Sequence, residues 1–335
     1  MPRMANALQL AKDSGMHVVL VANPVKDFTP DAFVELSTAE RIGQIQASKL
    51  ADKLQLDTIS KDNPKAVEIL LPYTASADGS DDEFAKEAFA GAWSVLQPYF
   101  KKGTAYSPSG LLTADTTDGQ WESVAFEIDK DSRITDEITN RLKRKDSASH
   151  TRIDGIIAMN DYVASGVVDA LDHLGYTGSA ADINPSITLP GIVGNITGKQ
   201  DLHRKKVPDP IKAPENDGDA TNDGSASEKA RDTQWPIITG YGAYVDELPQ
   251  LVSGHQWMTA VEDRKGAATQ LAQMCLKINQ GTAVKSPQNL TKGTYPGVAG
   301  KNMPTLRPDL VAVSASNLKS TLIDPGYITL ADAGM

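Results

Sequence analysis

An α/β fold built on parallel sheets is predicted by the way two kinds of segment alternate along the 335 residues. Short apolar runs rich in Val and Ile read as buried strands: HVVLVA (17–22), AVEILLPY (66–73), IDGIIAMN (153–160) and WPIITGYG (235–242). Longer stretches with apolar residues at helical spacing lie between them, and strands joined by crossover helices run parallel. Polar side chains collect where the apolar runs stop, with Asn160 and Asp161 the plainest case.

The elements follow in order. MPRMANALQLAKDSG is an amphipathic helix ahead of the first strand, HVVLVA. TAERIGQIQASKLADK (38–53) is the next helix, with Thr38 as a plausible N-cap and Ile42 and Ile45 on its apolar side. AVEILLPY follows, then a Ser/Asp/Gly loop, a helix over about 81–97 and a short strand in GTAYSPS (103–109). WESVAFEIDKDSRITDEITNRLKRK (121–145) reads as one helix. Its basic end, Arg141 to Lys145, suits helix C-terminal carbonyls better than nucleic acid. IDGIIAMN then leads into the helix DYVASGVVDALDHLG, where Asp161 has the chemistry of an ordinary N-cap. After WPIITGYG comes RKGAATQLAQMCLKINQG (264–281), closed by Gly281. Cys275 in that helix reads as a small buried hydrophobe. Residues 198–233 break the alternation. Charged and rich in Pro, Gly, Asn and Asp, they read as a long surface excursion.

Composition removes several function classes. The net charge of -10, with no Lys/Arg stripe, disfavours a phosphate-backbone partner. One cysteine excludes an intrachain disulfide, and no apolar run approaches the roughly 18 residues of a membrane span. The start lacks the pattern of a signal peptide. Five histidines (His17, His150, His173, His203, His255) show no HExxH spacing, and neither a GxSxG elbow nor a P-loop occurs. TGYGAY is a fragment of a dinucleotide pattern without its third Gly. The acid pair Asp81/Asp82 has no separation fixed by the sequence, so it does not define an acid–base couple. DGDATNDGSASE (217–228) echoes a calcium loop at Asp217, Asp219 and Glu228, but Asn222 stands where that loop needs Gly. No metal, cofactor or enzymatic activity is expected.

In parallel α/β sheets ligands bind at the carboxyl ends of strands, where loops converge beside helix N-termini. Asn160 and Asp161 fall at that point. AMNDYVASGVVDALDHLGY (158–176) resembles the run "xxNDxxAxGxxxAL" of the type I periplasmic sugar-binding proteins of ABC transporters, most closely the xylose-binding branch. It matches at Asn160, Asp161, Ala164, Gly166, Ala170 and Leu171. HVVLVANPV, AERIGQIQASKLAD and DGQWESVAFE are similar to further pieces in the same order. So are PIITGYGAY…LVSGHQWMTAVED…GAATQLAQMCLKINQG and VSASNLKSTLIDPGYI. The resemblance covers most of the chain, and the fixed order of its pieces is more specific than any one of them.

What the resemblance implies is a two-lobed periplasmic-binding-protein type I fold, with parallel sheets flanked by helices. The protein would capture a pentose- or hexose-like sugar in a cleft between lobes, outside the cytoplasm, and deliver it to an ABC permease. Asn160 and Asp161 would bind hydroxyls, with Trp121 as the stacking face; sugar sites need both planar donor–acceptor groups and an aromatic surface. The loop Asp81 to Glu83 matches the other second-lobe contact loop. Tyr241 and Gly242 stand where the family often has a polar pair, Glu262 where the hinge strand has Lys or Gln, and Asn23 where the first-lobe strand often ends in Asp-Arg.

The last two positions and the missing acid after the GY strand depart from the pattern, which leaves an atypical sugar open. Alternatives are a sensor-type protein of this fold with a non-sugar ligand, or a degenerate non-binding relative. Repressors of this fold carry a helix-turn-helix segment, which does not occur here. Residues 1–37 with 263–300 would form a truncated first lobe, and 38–262 with 301–335 the second. That leaves an exposed sheet edge. Either an upstream portion with its export signal precedes these residues, or a partner such as a second copy covers the edge.

Overall fold

A computed structural model describes residues 2–73, 80–130, 132–143, 151–180, 233–282, 290–295 and 297–335. In chain order its first half contains α1 (Pro2–Asp13), β1 (Val19–Val21), β2 (Ala32–Val34), α2 (Ala39–Lys53), β3 (Lys65–Ile69), β4 (Leu71–Tyr73), α3 (Ser80–Lys102), β5 (Ala105–Tyr106), β6 (Ala125–Glu127) and α4 (Arg133–Leu142). The second half contains β7 (Gly155–Ile157), α5 (Asp161–His173), β8 (Ile237–Tyr241), α6 (Leu248–Ser253), β9 (Met258–Glu262), α7 (Arg264–Asn279), β10 (Leu290–Thr294), β11 (Asn302–Leu306) and β12 (Leu310–Ser314). The calcium-like stretch 217–228 lies outside the described residues, as does the 198–233 excursion apart from Thr233.

The chain divides into two compact units, Met1–Thr38 with Glu262–Val311 and Ala39–Val261 with Ala312–Met335. In the smaller unit four strands lie in the order β1-β2-β11-β10. β1, β2 and β11 are parallel, and β10 runs antiparallel to β11. Residues 301–311, expected with the second lobe, belong to this unit instead. The cause is β11, whose Thr305 and Leu306 pair with Phe33 and Val34, while Leu306 is buried with Ala32, Val34 and Met274. On the other face of β2, Phe33 meets Tyr295 edge to face at 5.3 Å. Met274 is the residue that α7 buries; its neighbour Cys275, expected inside, is exposed one position further round the helix.

The larger unit holds a sheet in the order β12-β9-β8-β7-β3-β5, parallel from β9 through β5. Successive strand residues point to opposite faces, and here both faces are covered. Ala66, Leu70, Ile156 and Ala158 pack with α4 and α5, whereas Val67, Ile69, Ile157 and Met159 pack with α2 and α3. That explains why these strands read as unbroken apolar runs. α2 and α3 come unusually close, because a Cβ on Gly43 would lie 2.0 Å from the Ala88 carbonyl oxygen and one on Gly91 2.0 Å from that of Glu40.

Two segments differ from the sequence reading. The run 66–73 is two strands: Leu70 separates β3 in the main sheet from β4, which pairs in parallel with β6 in a ribbon of its own. The segment 121–145 is not one helix. Val124, Phe126 and Ile128 alternate inward with a period of two and form β6, and helical burial starts only at Ile134, Ile138 and Leu142. The ribbon and the main sheet are joined by Arg141, whose side chain leaves its own helix end rather than satisfying carbonyls there. Its Nη1 donates to the Ile69 carbonyl (2.6 Å) and to Glu68 (3.3 Å), and its Nη2 to the Val124 carbonyl (2.8 Å). Glu68, fully buried in β3, also accepts from Ser107 Oγ at 2.8 Å and Ser109 N at 2.9 Å.

Two outcomes are expected in urea unfolding. Arg141→Ala strands the Glu68 carboxylate in the interior and should cost about 3–5 kcal/mol. Gly43→Ala forces two helix backbones apart and should cost about 1–3 kcal/mol even though Ala favours helix.

Candidate ligand-binding site

The carboxyl ends of β7 and β8 and the start of β9 in the larger unit are tied together by one carboxylate. β7 runs out through Met159, whose φ of 64° is the left-handed region that a residue with a side chain seldom adopts. Gln46 of α2 holds that backbone: its buried Nε2 donates to the Met159 carbonyl at 3.1 Å and its Oε1 accepts from Thr239 Oγ1 at 3.3 Å. The turn delivers Asn160 as the N-cap of α5, with its Oδ1 accepting from Val163 N at 2.8 Å. The cap is therefore Asn160 and not Asp161, which is the first helical residue.

Asp161 is 1% exposed. Its Oδ1 accepts from Gln256 Nε2 at 2.7 Å, and its Oδ2 accepts from Thr259 Oγ1 at 2.8 Å and from Tyr244 N at 3.3 Å. Gly240 leaves room for this group to lie across β8, since a Cβ there would be 2.3 Å from Asp161 Oδ1 and 2.7 Å from Gln256 Nε2. Burial pushes the Asp161 carboxyl above its ordinary value of 3.8, against the opposing effect of its hydrogen bonds. Both oxygens are already engaged. Asp161, expected to contact ligand hydroxyls, is thus buried and braces the strand ends through its hydrogen bonds.

The loop after β8 is fixed just as closely. Gly242 N donates to the Ala260 carbonyl (2.9 Å) and Ala243 N to Thr259 Oγ1 (3.2 Å), next to the Tyr244 N bond to Asp161. Gly242 has φ 126° and Ala243 φ 52°. Non-glycine left-handed residues thus follow β7 and β8, and Ala22 (φ 66°) follows β1 in the other unit. Such backbone is uncommon and gathers at binding and active sites.

The remaining expected residues fall as follows. Tyr241 ends β8, half-buried. Trp121 opens a single 3-10 turn, half-buried, with its ring edge-on to Tyr73 at 6.1 Å. Both rings border the apolar cluster that contains Met159, the neighbour of Asn160. Glu83 is exposed in the first turn of α3. Asp81 lies in the same turn, and its side chain is outside the described residues. Asn23 is exposed just after β1 in the smaller unit. Glu262, expected to face a ligand from the end of β9, is 4% exposed and accepts from Ser37 N at 2.6 Å. Its carboxylate satisfies an amide of the segment leaving β2.

Sequence reasoning missed Gln46, Tyr244, Gln256 and Thr259. Gln256 and Thr259 lie on and before β9, and only the β8–β9 register, with Gly240 opposite Thr259, brings them to Asp161. No local motif marks them.

The pH dependence has a definite sign. A carboxyl raised by burial binds its proton more tightly in the folded state, so its contribution to stability is fullest below 3.8 and is lost as pH rises through the raised folded value. Urea titrations from about pH 4 to about pH 7 should show wild type losing stability relative to Asp161→Asn. Glu87 and Glu247, also raised mainly by burial, carry the same sign in both proteins.

No family model matches the chain. It is 23% identical over 330 residues to the multiple sugar-binding periplasmic protein SbpA of Azospirillum brasilense, covering 98% of this chain and 71% of that protein. It is 21% identical over 325 residues to the multiple sugar-binding periplasmic receptor ChvE of Rhizobium radiobacter, again over 71% of the relative. Among solved structures it shares its fold with an ABC transporter solute-binding protein from Clostridium phytofermentans with bound β-D-glucose (TM-score 0.59, 19% identity, 98% of this chain and 78% of that one). A carbohydrate transporter solute-binding protein from Chloroflexus aurantiacus in complex with D-glucose gives a TM-score of 0.56 at 19% identity, over 98% and 77% of the two chains. Along 98% of its length the chain is similar to a multiple sugar-binding periplasmic protein, and it shares its fold with solute-binding proteins of ABC transporters.

Proposed function

We propose that the chain is an extracytoplasmic solute-binding protein that captures a small sugar, pentose- or hexose-like, for an ABC importer. The observation that carries this reading is the similarity to SbpA, which extends over 98% of the chain rather than over one motif. The strand ends have the matching chemistry. Asn160 uses its Oδ1 as a helix cap, which leaves the amide nitrogen as a donor for a ligand hydroxyl. Trp121, braced edge-on by Tyr73, supplies an aromatic surface for ring C–H groups.

In this reading Asp81, Glu83, Tyr241, Gly242 and Asn23 are contact positions. Asp161 and Glu262 act through the backbone they hold, the β8 loop in one case and Ser37 in the other. The protein binds and releases its sugar unchanged, and its partner is the permease of the importer. Among the described residues no helix is long and apolar enough to cross a membrane.

Calorimetric titration with pentoses and hexoses, D-xylose and D-glucose first, tests the reading. Heat of binding with at least one is expected, and no heat with any overturns it. Asn160→Ala should weaken the bound sugar by about 1–3 kcal/mol, through loss of a hydrogen bond from a desolvated hydroxyl.

A further inference from the structure

Tyr244 is an exposed aromatic on a backbone that has almost no freedom. The residue is 48% exposed. Yet the three successive amides of residues 242, 243 and 244 each have an acceptor on β9 or α5: the Ala260 carbonyl, Thr259 Oγ1 and Asp161 Oδ2. A further bond from Glu247 N to the Tyr244 carbonyl, at 3.0 Å, closes the loop on its other side. The ring occupies the space that a side chain at residue 242 would need. A Cβ on Gly242 would meet ring carbons Cε1, Cζ and Cδ1 at 2.5, 2.9 and 3.0 Å. Glycine at 242, with φ 126°, thus lets an aromatic plane lie where a polar side chain could otherwise stand.

We propose that Tyr244 is a specificity-determining residue of the sugar site, which reads the C–H face of a pyranose ring by stacking. The inference rests on the sugar-binding reading above and adds a residue and a selectivity to it. A buried brace, a strained turn and a glycine all serve to fix the backbone that carries one half-exposed aromatic side chain. Aromatic faces favour C–H surfaces, and a ring held in advance loses little entropy on binding. Residue 242 carries no side chain and so brings no charge of its own beside the ring. Discrimination follows from which hydroxyls are axial: an axial hydroxyl on the stacked face breaks the C–H surface.

The test is calorimetry on the full chain with D-glucose, D-allose and D-galactose, whose axial hydroxyls interrupt opposite faces of the ring. Tyr244→Phe should bind glucose within about threefold of wild type, whereas Tyr244→Leu and Tyr244→Ala should bind about tenfold more weakly, with unchanged thermal melts. Wild type should prefer glucose over the epimer whose axial hydroxyl meets the ring, and Tyr244→Leu should erase that preference. Glucose bound equally by wild type and Tyr244→Ala, or a preference that survives Tyr244→Leu, overturns the inference and leaves the sugar-binding reading standing. Tyr244→Phe weakened as much as Tyr244→Ala also overturns it, since the hydroxyl and not the ring would then be read. A wild type that binds none of the three, nor any other sugar, overturns both.

Discussion

The geometry of the candidate site depends on a carboxylate that no solvent reaches. A buried acid with unmet acceptors would be costly, and the fold answers by supplying donors to both oxygens of Asp161. Those donors come from β9, from the residue two positions before it and from the loop after β8, so the group that is satisfied also ties the strand ends together. The arrangement works only because β8 carries glycine at 240, where the carboxylate and the Gln256 amide lie across the strand. Remove the side chain and two buried donors and a loop amide lose their acceptor at once.

A comparable logic runs through the packing behind the site. Glu68 is a fully buried carboxylate in the main sheet, and Arg141 converts it into a joint. Its guanidinium reaches carbonyls on either side of the break at Leu70, which a helix-capping arginine would not do. On the opposite face, α2 and α3 pack backbone against backbone through Gly43 and Gly91. That closeness lets Gln46 reach from α2 into the sheet and hold Met159, so helix packing and site geometry are one problem.

Much of this was legible in the sequence, for identifiable reasons. Strands buried on both faces announce themselves as apolar runs, and crossover helices by their spacing; β3, β7, β8, α2, α5 and α7 were all read that way. β6 is hard to read because its alternating stretch is short and runs through three charged residues, Asp129 to Asp131, into a helix with apolar residues at helical spacing. Arg141 reads as a helix-end residue because two of its partners, Glu68 and Ile69, lie more than 70 residues earlier in β3 and are brought near only by the fold. At the site, Asn160 and Asp161 were visible as polar residues ending a strand, but composition cannot say which points outward and which is enclosed. Tyr244, Gln256 and Thr259 depend on strand register, which pattern alone did not supply.

The break at Leu70 has a consequence for how recognition changes over time. Tyr73 ends one strand of a small parallel ribbon that is hydrogen-bonded apart from the main sheet, and Trp121 stands in the turn that leads into the other strand. Substitutions that reshape the aromatic pair need not disturb the register of the larger sheet or the helices on its faces. Variation at this pair is thereby separated from the backbone pairing that sets the strand order of the main sheet.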